Sequence, residues 1–177
     1  MTGRRVHAPG FTLMEVMVTL TLGTIVIALV GSLFVASLST WRRGQDLREA
    51  QVQASTLVDV MARDVRNASQ APSVTVRPRL QVDSGEPLLA IASGPATSDA
   101  SAQWILYVHR PARGLVLRQI VTSADDDRVT LRESRVVATG VARVTVEQTA
   151  GGVTIEVEAR RGRASATSRA TAAPRNP

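Results

Sequence analysis

The residue with the most unusual chemical surroundings in this 177-residue chain is Glu15. It closes the stretch Gly10-Phe11-Thr12-Leu13-Met14-Glu15 and precedes 25 positions, Val16 to Thr40, that carry no charge. A carboxylate at the middle of a bilayer-spanning helix costs about 2.5–3.5 kcal/mol. Glu15 therefore either lies at an interface, where a helix start favours an anion by roughly 0.3–1 kcal/mol, or meets a cation. Other chemistries have less support. Asp125-Asp126-Asp127 places three carboxylates between two strand-like segments. Adjacent side chains diverge in an extended chain, and no glycine or spaced ligand set accompanies them, so they read as a solvated turn rather than a calcium loop. His7 and His109 are far apart, and His109, beside Arg110, reads as a surface or half-buried imidazole. The chain has no Cys, which excludes disulfides, thiolate metal sites and cysteine nucleophiles. No serine or threonine has a credible base, and no glycine-rich phosphate loop is present. No catalytic residue, metal or cofactor is assigned, and the chain is expected not to be an enzyme.

The element that positions Glu15 is the uncharged run behind it. At 1.5 Å per residue a helix over Val16–Thr40 spans roughly 38 Å, enough to cross a hydrocarbon core of about 30 Å. It is apolar on all sides, and Gly23 and Gly31 leave room for close helix contacts. Trp41, an interfacial ring, is followed by Arg42 and Arg43, and Arg4 and Arg5 precede the run, so charge alone does not orient it. An ordinary secretory signal would be cut after such a run, and Val35-Ala36-Ser37 offers a passable site, which leaves a plain secreted or singly anchored domain as one reading.

The order of features before and within the run is more specific. A short basic leader, a Gly10–Phe11 junction, Glu15 five residues into the remaining chain and about twenty apolar residues resemble the type III signal of type IV prepilins and pseudopilins. The resemblance covers Gly10 to about Val35. It implies cleavage between Gly10 and Phe11 by a prepilin peptidase, removal of residues 1–10, N-methylation of Phe11 and retention of the apolar helix. Glycine at position 10 suits a close approach of the peptidase to the backbone. The resemblance gives Glu15 the role of a register carboxylate that meets the cationic amine of a neighbouring subunit. Within one chain the two groups stand four residues apart, so self-pairing stays open. It implies an inner-membrane single-pass precursor with its remainder outside the cytoplasm, then a filament in the periplasm or at the cell surface. The implied partners are prepilin peptidase and other major and minor pilins or pseudopilins.

Beyond the membrane segment, Leu47, Ala50, Ala54, Leu57, Met61, Val65 and Ala68 recur every three or four residues, an amphipathic stripe. With Pro72 as a stop signal, the helix is expected from about Phe11 to Ser69, with Gly44 as the place where it bends or breaks. Alternating segments then read as strands: 73–82, 88–92, 103–109, 114–121, 128–137, 141–148 and 153–160, with a turn at Pro111–Gly114 and a hairpin at Gly151-Gly152. The expectation is an α+β, pilin-like fold in which the amphipathic half of a long helix packs on a small antiparallel sheet. The segments are a leader (1–10), a transmembrane or filament-core helix (11–41), an amphipathic helix (42–70), a β-sheet domain (71–160) and a basic tail (161–177). The segment 92–102 reads as an exposed loop, and the tail as frayed.

The stretch Arg63-Asp64-Val65-Arg66-Asn67-Ala68 resembles the minor-pilin and J-type pseudopilin branch. It implies a low-abundance subunit acting in initiation or near the tip, or a J-type minor pseudopilin of type II secretion. Net charge is +6, and all 21 basic residues are Arg. Arg160, Arg161, Arg163 and Arg169 could attract DNA or anionic lipid, a third reading in which the subunit serves natural transformation. With one Tyr, two Phe and two Trp the chain has few rings to stack bases, so nucleic acid is not favoured.

Overall fold

The computed structural model describes residues 12–75, 85–93, 102–125 and 128–175. Helix α1 (Leu13–Arg66) is a single helix of 54 residues that passes through Gly44 without a break. The helix contains no proline, and one glycine costs it only about 1 kcal/mol against alanine. It ends three residues before the expected Ser69. The last turn tightens as Ala68 N–H donates to Val65 O, and Arg175 N–H, from the far end of the chain, donates to Arg66 O at 3.2 Å.

The chain divides into two compact units between Arg42 and Arg43. In the first, no large apolar side chain from Leu13 to Trp41 is buried. The second contains the rest of α1 and, among the described residues, seven strands. These are β1 (Glu86–Ala92), β2 (Ala102–Arg110), β3 (Leu115–Asp125), β4 (Arg128–Ala138), β5 (Val141–Thr149), β6 (Gly152–Arg161) and β7 (Ala164–Ala172). A 3-10 turn at Pro111–Arg113 joins β2 to β3, where a turn is expected.

The strands form two antiparallel sheets rather than one, ordered β1-β2-β3-β4 and β5-β6-β7. The change of sheet falls at Thr139–Gly140. Gly140 has φ +68°, a left-handed conformation that a side chain disfavours, and a Cβ there would lie 2.9 Å from Arg160 O. Its carbonyl accepts from Arg160 N–H at 2.7 Å, while Val141 N–H donates to Gly114 O at 3.0 Å. The chain thus leaves the β4 ladder and begins the second sheet against β6.

Both sheets cover the same helix stripe. Ala50, Ala54, Leu57, Met61, Val65 and Ala68 are buried as expected, and Val58 and Ala62 widen the stripe. Leu47 is exposed, because coverage begins only at Ala50. Leu89, Ile91, Ile105 and Tyr107 come from the first sheet, and Val153, Ile155, Val157 and Ala159 from the second, into one core. A smaller cluster of Ala90, Leu106 and Val121 lies on the other face of the four-stranded sheet.

The expected tail needs correction. The segment 161–177 is not a frayed tail among its described residues: it supplies β7, in continuous register with β6 from Arg161↔Ala164 to Val153↔Ala172. It lacks an apolar period because its inward positions are Ala164, Ala166, Ser168 and Ala170, small residues that the hydrophobic pattern does not register. The expected strand at 73–82 is represented by Ser73, in a bridge with Ala90, and its remainder from residue 76 lies outside the described residues, as do 94–101 of the expected loop.

One polar contact ties α1 to the four-stranded sheet. Asp64 Oδ2 accepts from the Tyr107 hydroxyl at 2.6 Å and from Arg118 Nε at 2.7 Å. Tyr107 and Arg118 are paired residues on adjacent strands, so a single carboxylate oxygen spans both. Burial, and then the hydrogen bond to Asp64, hold the Tyr107 hydroxyl in its neutral form far above its ordinary range. The unfolded chain ionises that phenol near pH 10 and the folded chain does not. Stability from this contact is therefore full below about pH 10 and falls as pH rises beyond it. We expect the chain's only tyrosine to titrate together with alkaline unfolding, followed by phenolate absorbance and circular dichroism on the same sample. We expect Asp64→Ala to cost about 2–4 kcal/mol in denaturant unfolding, because it strands a guanidinium and a phenol. Tyr107→Phe should cost about 1 kcal/mol.

Candidate functional site

The site is built on the first turn of α1. Thr12 is the N-cap: its Oγ1 accepts from Glu15 N–H at 3.3 Å, and its carbonyl accepts from Glu15 and Val16 N–H at 3.1 and 3.2 Å. Glu15 is consequently the third residue of the helix. Its carboxylate lies in the turn where unpaired N–H groups and the helix dipole favour negative charge. The pair Thr12-x-x-Glu15 is a capping-box sequence, a signal legible in the chain that the reading of Glu15 alone passes over. Glu15 is exposed. Gly10 and Phe11, the expected cleavage and methylation residues, lie outside the described residues.

The helix behind Glu15 presents an apolar surface with few exceptions. Leu13, Leu20, Ile27, Leu33, Phe34 and Val35 are each more than half exposed. The hydroxyls in this stretch are largely turned inward on the backbone. Thr19 donates to Glu15 O, Thr21 to Met17 O, Thr24 to Thr21 O, Ser32 to Leu29 O, and Ser39 and Thr40 to Ala36 O, all at 2.8–3.1 Å. A hydroxyl satisfied this way needs no water, so the helix can be surrounded by lipid or by other apolar helices without stranding donors. Among the described residues α1 is the helix long and apolar enough to cross a membrane.

The other expected site residues lie apart from this turn. Arg160 is 3.9 Å from Glu158, Arg161 is 3.3 Å from Glu49, and Arg169 is 3.9 Å from Glu156. Arg163 sits in the β6–β7 turn beside Gly162 and is exposed. Three of these four arginines thus face a carboxylate, which weakens the field they present to a polyanion. Asp125 ends β3, paired with Arg128 of β4, and Asp126 and Asp127 lie outside the described residues. His109 is buried rather than half-exposed, its Nε2 lying 3.3 Å from Val141 O, where it links β2 to the start of β5. Asp64 is the polar residue that sequence reasoning undervalued. Its signal was its place beside Val65 on the border of the buried stripe.

With this geometry in view, the family described as the prokaryotic N-terminal methylation motif matches residues 7–31. The chain carries a type IV prepilin-like signal. The match begins at residue 7, includes Gly10, Phe11 and Glu15, and ends inside the exposed apolar half of α1. It implies processing by prepilin peptidase and assembly with other pilins, and it indicates a type IV pilin-like or pseudopilin subunit, a structural class. Comparison with curated proteins and with solved structures gives no match.

We expect Thr12→Ala to remove the side-chain cap and weaken the first turn by about 1 kcal/mol. In the full chain in detergent micelles, the Glu15 and Val16 amides should exchange several-fold faster with deuterium, while those of the Ala50–Val65 segment should not change.

Proposed function

We propose that this chain is a minor pilin-like structural subunit of a type IV pilus-type filament, acting in initiation or near the tip. The observation that carries this reading is the Gly10–Phe11 junction and Glu15 at the head of an uncharged helix whose apolar side chains have no cover within their own unit. Prepilin peptidase cuts between Gly10 and Phe11. The new amine of Phe11 is cationic at neutral pH, its ordinary pKa being about 7.7–8.0, and a methylated amine keeps that charge. When the helix leaves lipid for neighbouring helices, an unpaired amine or carboxylate becomes costly, and pairing the two offsets much of that cost. Glu15, held in the first turn by the Thr12 cap, meets the amine of an adjacent subunit and sets axial register. The unit from Arg43 onward, with its two sheets, stands outside the cytoplasm.

A second reading, a J-type minor pseudopilin of type II secretion, is supported by Arg63-Asp64-Val65-Arg66. In this fold Asp64 is accounted for by its bonds to Tyr107 and Arg118, so part of that stretch has a folding role in either system. Adjacent pilus or secretion genes distinguish the two readings. DNA capture has less support, given the carboxylates beside Arg160, Arg161 and Arg169.

Mass spectrometry of the chain isolated from cells should show a mature terminus at N-methylated Phe11. A start at Met1, or at Leu38 after an ordinary signal cleavage, overturns the reading. Glu15→Ala should leave insertion and cleavage intact and reduce incorporation into filaments by about tenfold or more, measured by the ratio of sheared to membrane-bound subunit.

A further inference from the structure

The two sheets have four edges, and they are finished differently. At β1, Ser73 exchanges two backbone hydrogen bonds of 2.9 Å with Ala90. At β5, the Gln148 side chain donates to Pro72 O at 3.1 Å and accepts from Val74 N–H at 3.5 Å, holding that crossing segment against the strand end. The outer edge of the first sheet, β4, is broken by three register shifts against β3 and exposes Arg132, Glu133 and Arg135. Bulges and mixed charge are the devices that keep an edge strand from pairing with another chain. The outer edge of the second sheet, β7, has neither. Its nine residues pair with β6 without one shift, and among the described residues no strand pairs with its other side. Within β7 the only charge is Arg169. Its inward residues are small, and Ala166 and Ala170 pack on the core, so the strand is anchored.

The geometry points to the free edge of β7 as a strand-addition surface for an extended, acidic segment of another polypeptide, not for a second copy of this chain. Charge placement decides the occupant. Arg163 and Arg175 flank β7 and are exposed, and neither makes an ion pair among the described residues. Arg169 lies between them, with Glu156 at 3.9 Å. Full antiparallel overlap of two β7 strands about Ser168 sets Arg169 diagonal to its own copy and brings each Arg163 to the end where the other Arg175 lies. Parallel overlap aligns the same arginines directly. Like charges opposite or diagonal across a ladder are destabilising, whereas opposite charges contribute roughly 0.2–1 kcal/mol per pair. Backbone hydrogen bonds along the edge supply the affinity, and carboxylates near Arg163 and Arg169 supply the choice of partner. This inference stands on the edge itself and does not need the filament reading.

The test uses the full chain in detergent micelles and a synthetic peptide of alternating Thr and Val with two glutamates spaced as Arg163 and Arg169 are. A matched peptide with arginines in those places and a short DNA duplex serve as comparisons. The acidic peptide should slow deuterium exchange at alternate amides of 164–172 roughly tenfold, while the basic peptide and the duplex leave them unchanged. The double variant Arg163→Glu, Arg175→Glu, which keeps Arg169 beside Glu156, should erase the advantage of the acidic peptide over the basic one, because each peptide then meets one like and one opposite charge. For the unsubstituted chain, no slowing, equal slowing by both peptides, protection by the duplex instead of the peptide, or protection of β7 by self-association alone would each overturn the proposal, as would an unaltered preference in the variant.

Discussion

Apolar surface without cover is the constraint from which the rest of this protein follows. From Leu13 to Trp41 the side chains of α1 are uncharged apart from Glu15, and the large apolar ones are exposed except the half-buried Leu38. Burying a Leu, Ile or Phe side chain is worth about 1.5–3 kcal/mol, so a surface of this extent is not left in water. It requires lipid or other helices around it. The hydroxyls along it are turned onto carbonyls of the same helix, which makes both surroundings tolerable. The prepilin-like signal at residues 7–31 overlaps the first half of that uncovered surface.

The same helix solves a different problem after Arg43. There it needs one apolar stripe, and Ala50, Ala54, Leu57, Met61 and Val65 supply it with residues small enough to let two sheets approach. Hydrophobic contact of that kind has little directional preference. Direction comes from Asp64, whose single carboxylate oxygen must reach Tyr107 on β2 and Arg118 on β3 together. A rotation or slide of the sheet over the stripe would break both bonds and leave partly buried charges unpaired. His109 and Gly140 act similarly between the sheets, the first through Val141 O and the second through its left-handed turn against Arg160.

The edges of those sheets connect fold to assembly. An outer strand with a free edge is open to random pairing with other chains, and β4 is finished with bulges and mixed charge that oppose it. β7 is regular, small-sided and framed by arginines. The contrast between the two outer edges of one small unit is the observation on which the proposed strand-addition surface rests.

Much of this was legible in the residues. The absence of charge over Val16–Thr40 determines a helix that cannot remain in water, and the three- and four-residue spacing from Ala50 to Ala68 determines its amphipathic continuation. Both are local properties of consecutive residues. So is strand alternation, which marks β2, β4, β5 and β6 to within a residue of their observed bounds and β3 four residues short at its end. The tail escaped because alanine, serine and threonine alternate without contrast in hydropathy, and β7 exists by pairing with β6. Leu47 shares the face of the stripe and is nevertheless exposed, because periodicity reports which face a residue occupies and not where the covering layer ends. The division into two sheets, the joining of Asp64 to Tyr107 and Arg118, the burial of His109 and the carboxylates beside Arg160, Arg161 and Arg169 were decided only by tertiary structure. Each depends on residues distant in the chain, and no local period carries the geometry that brings them together.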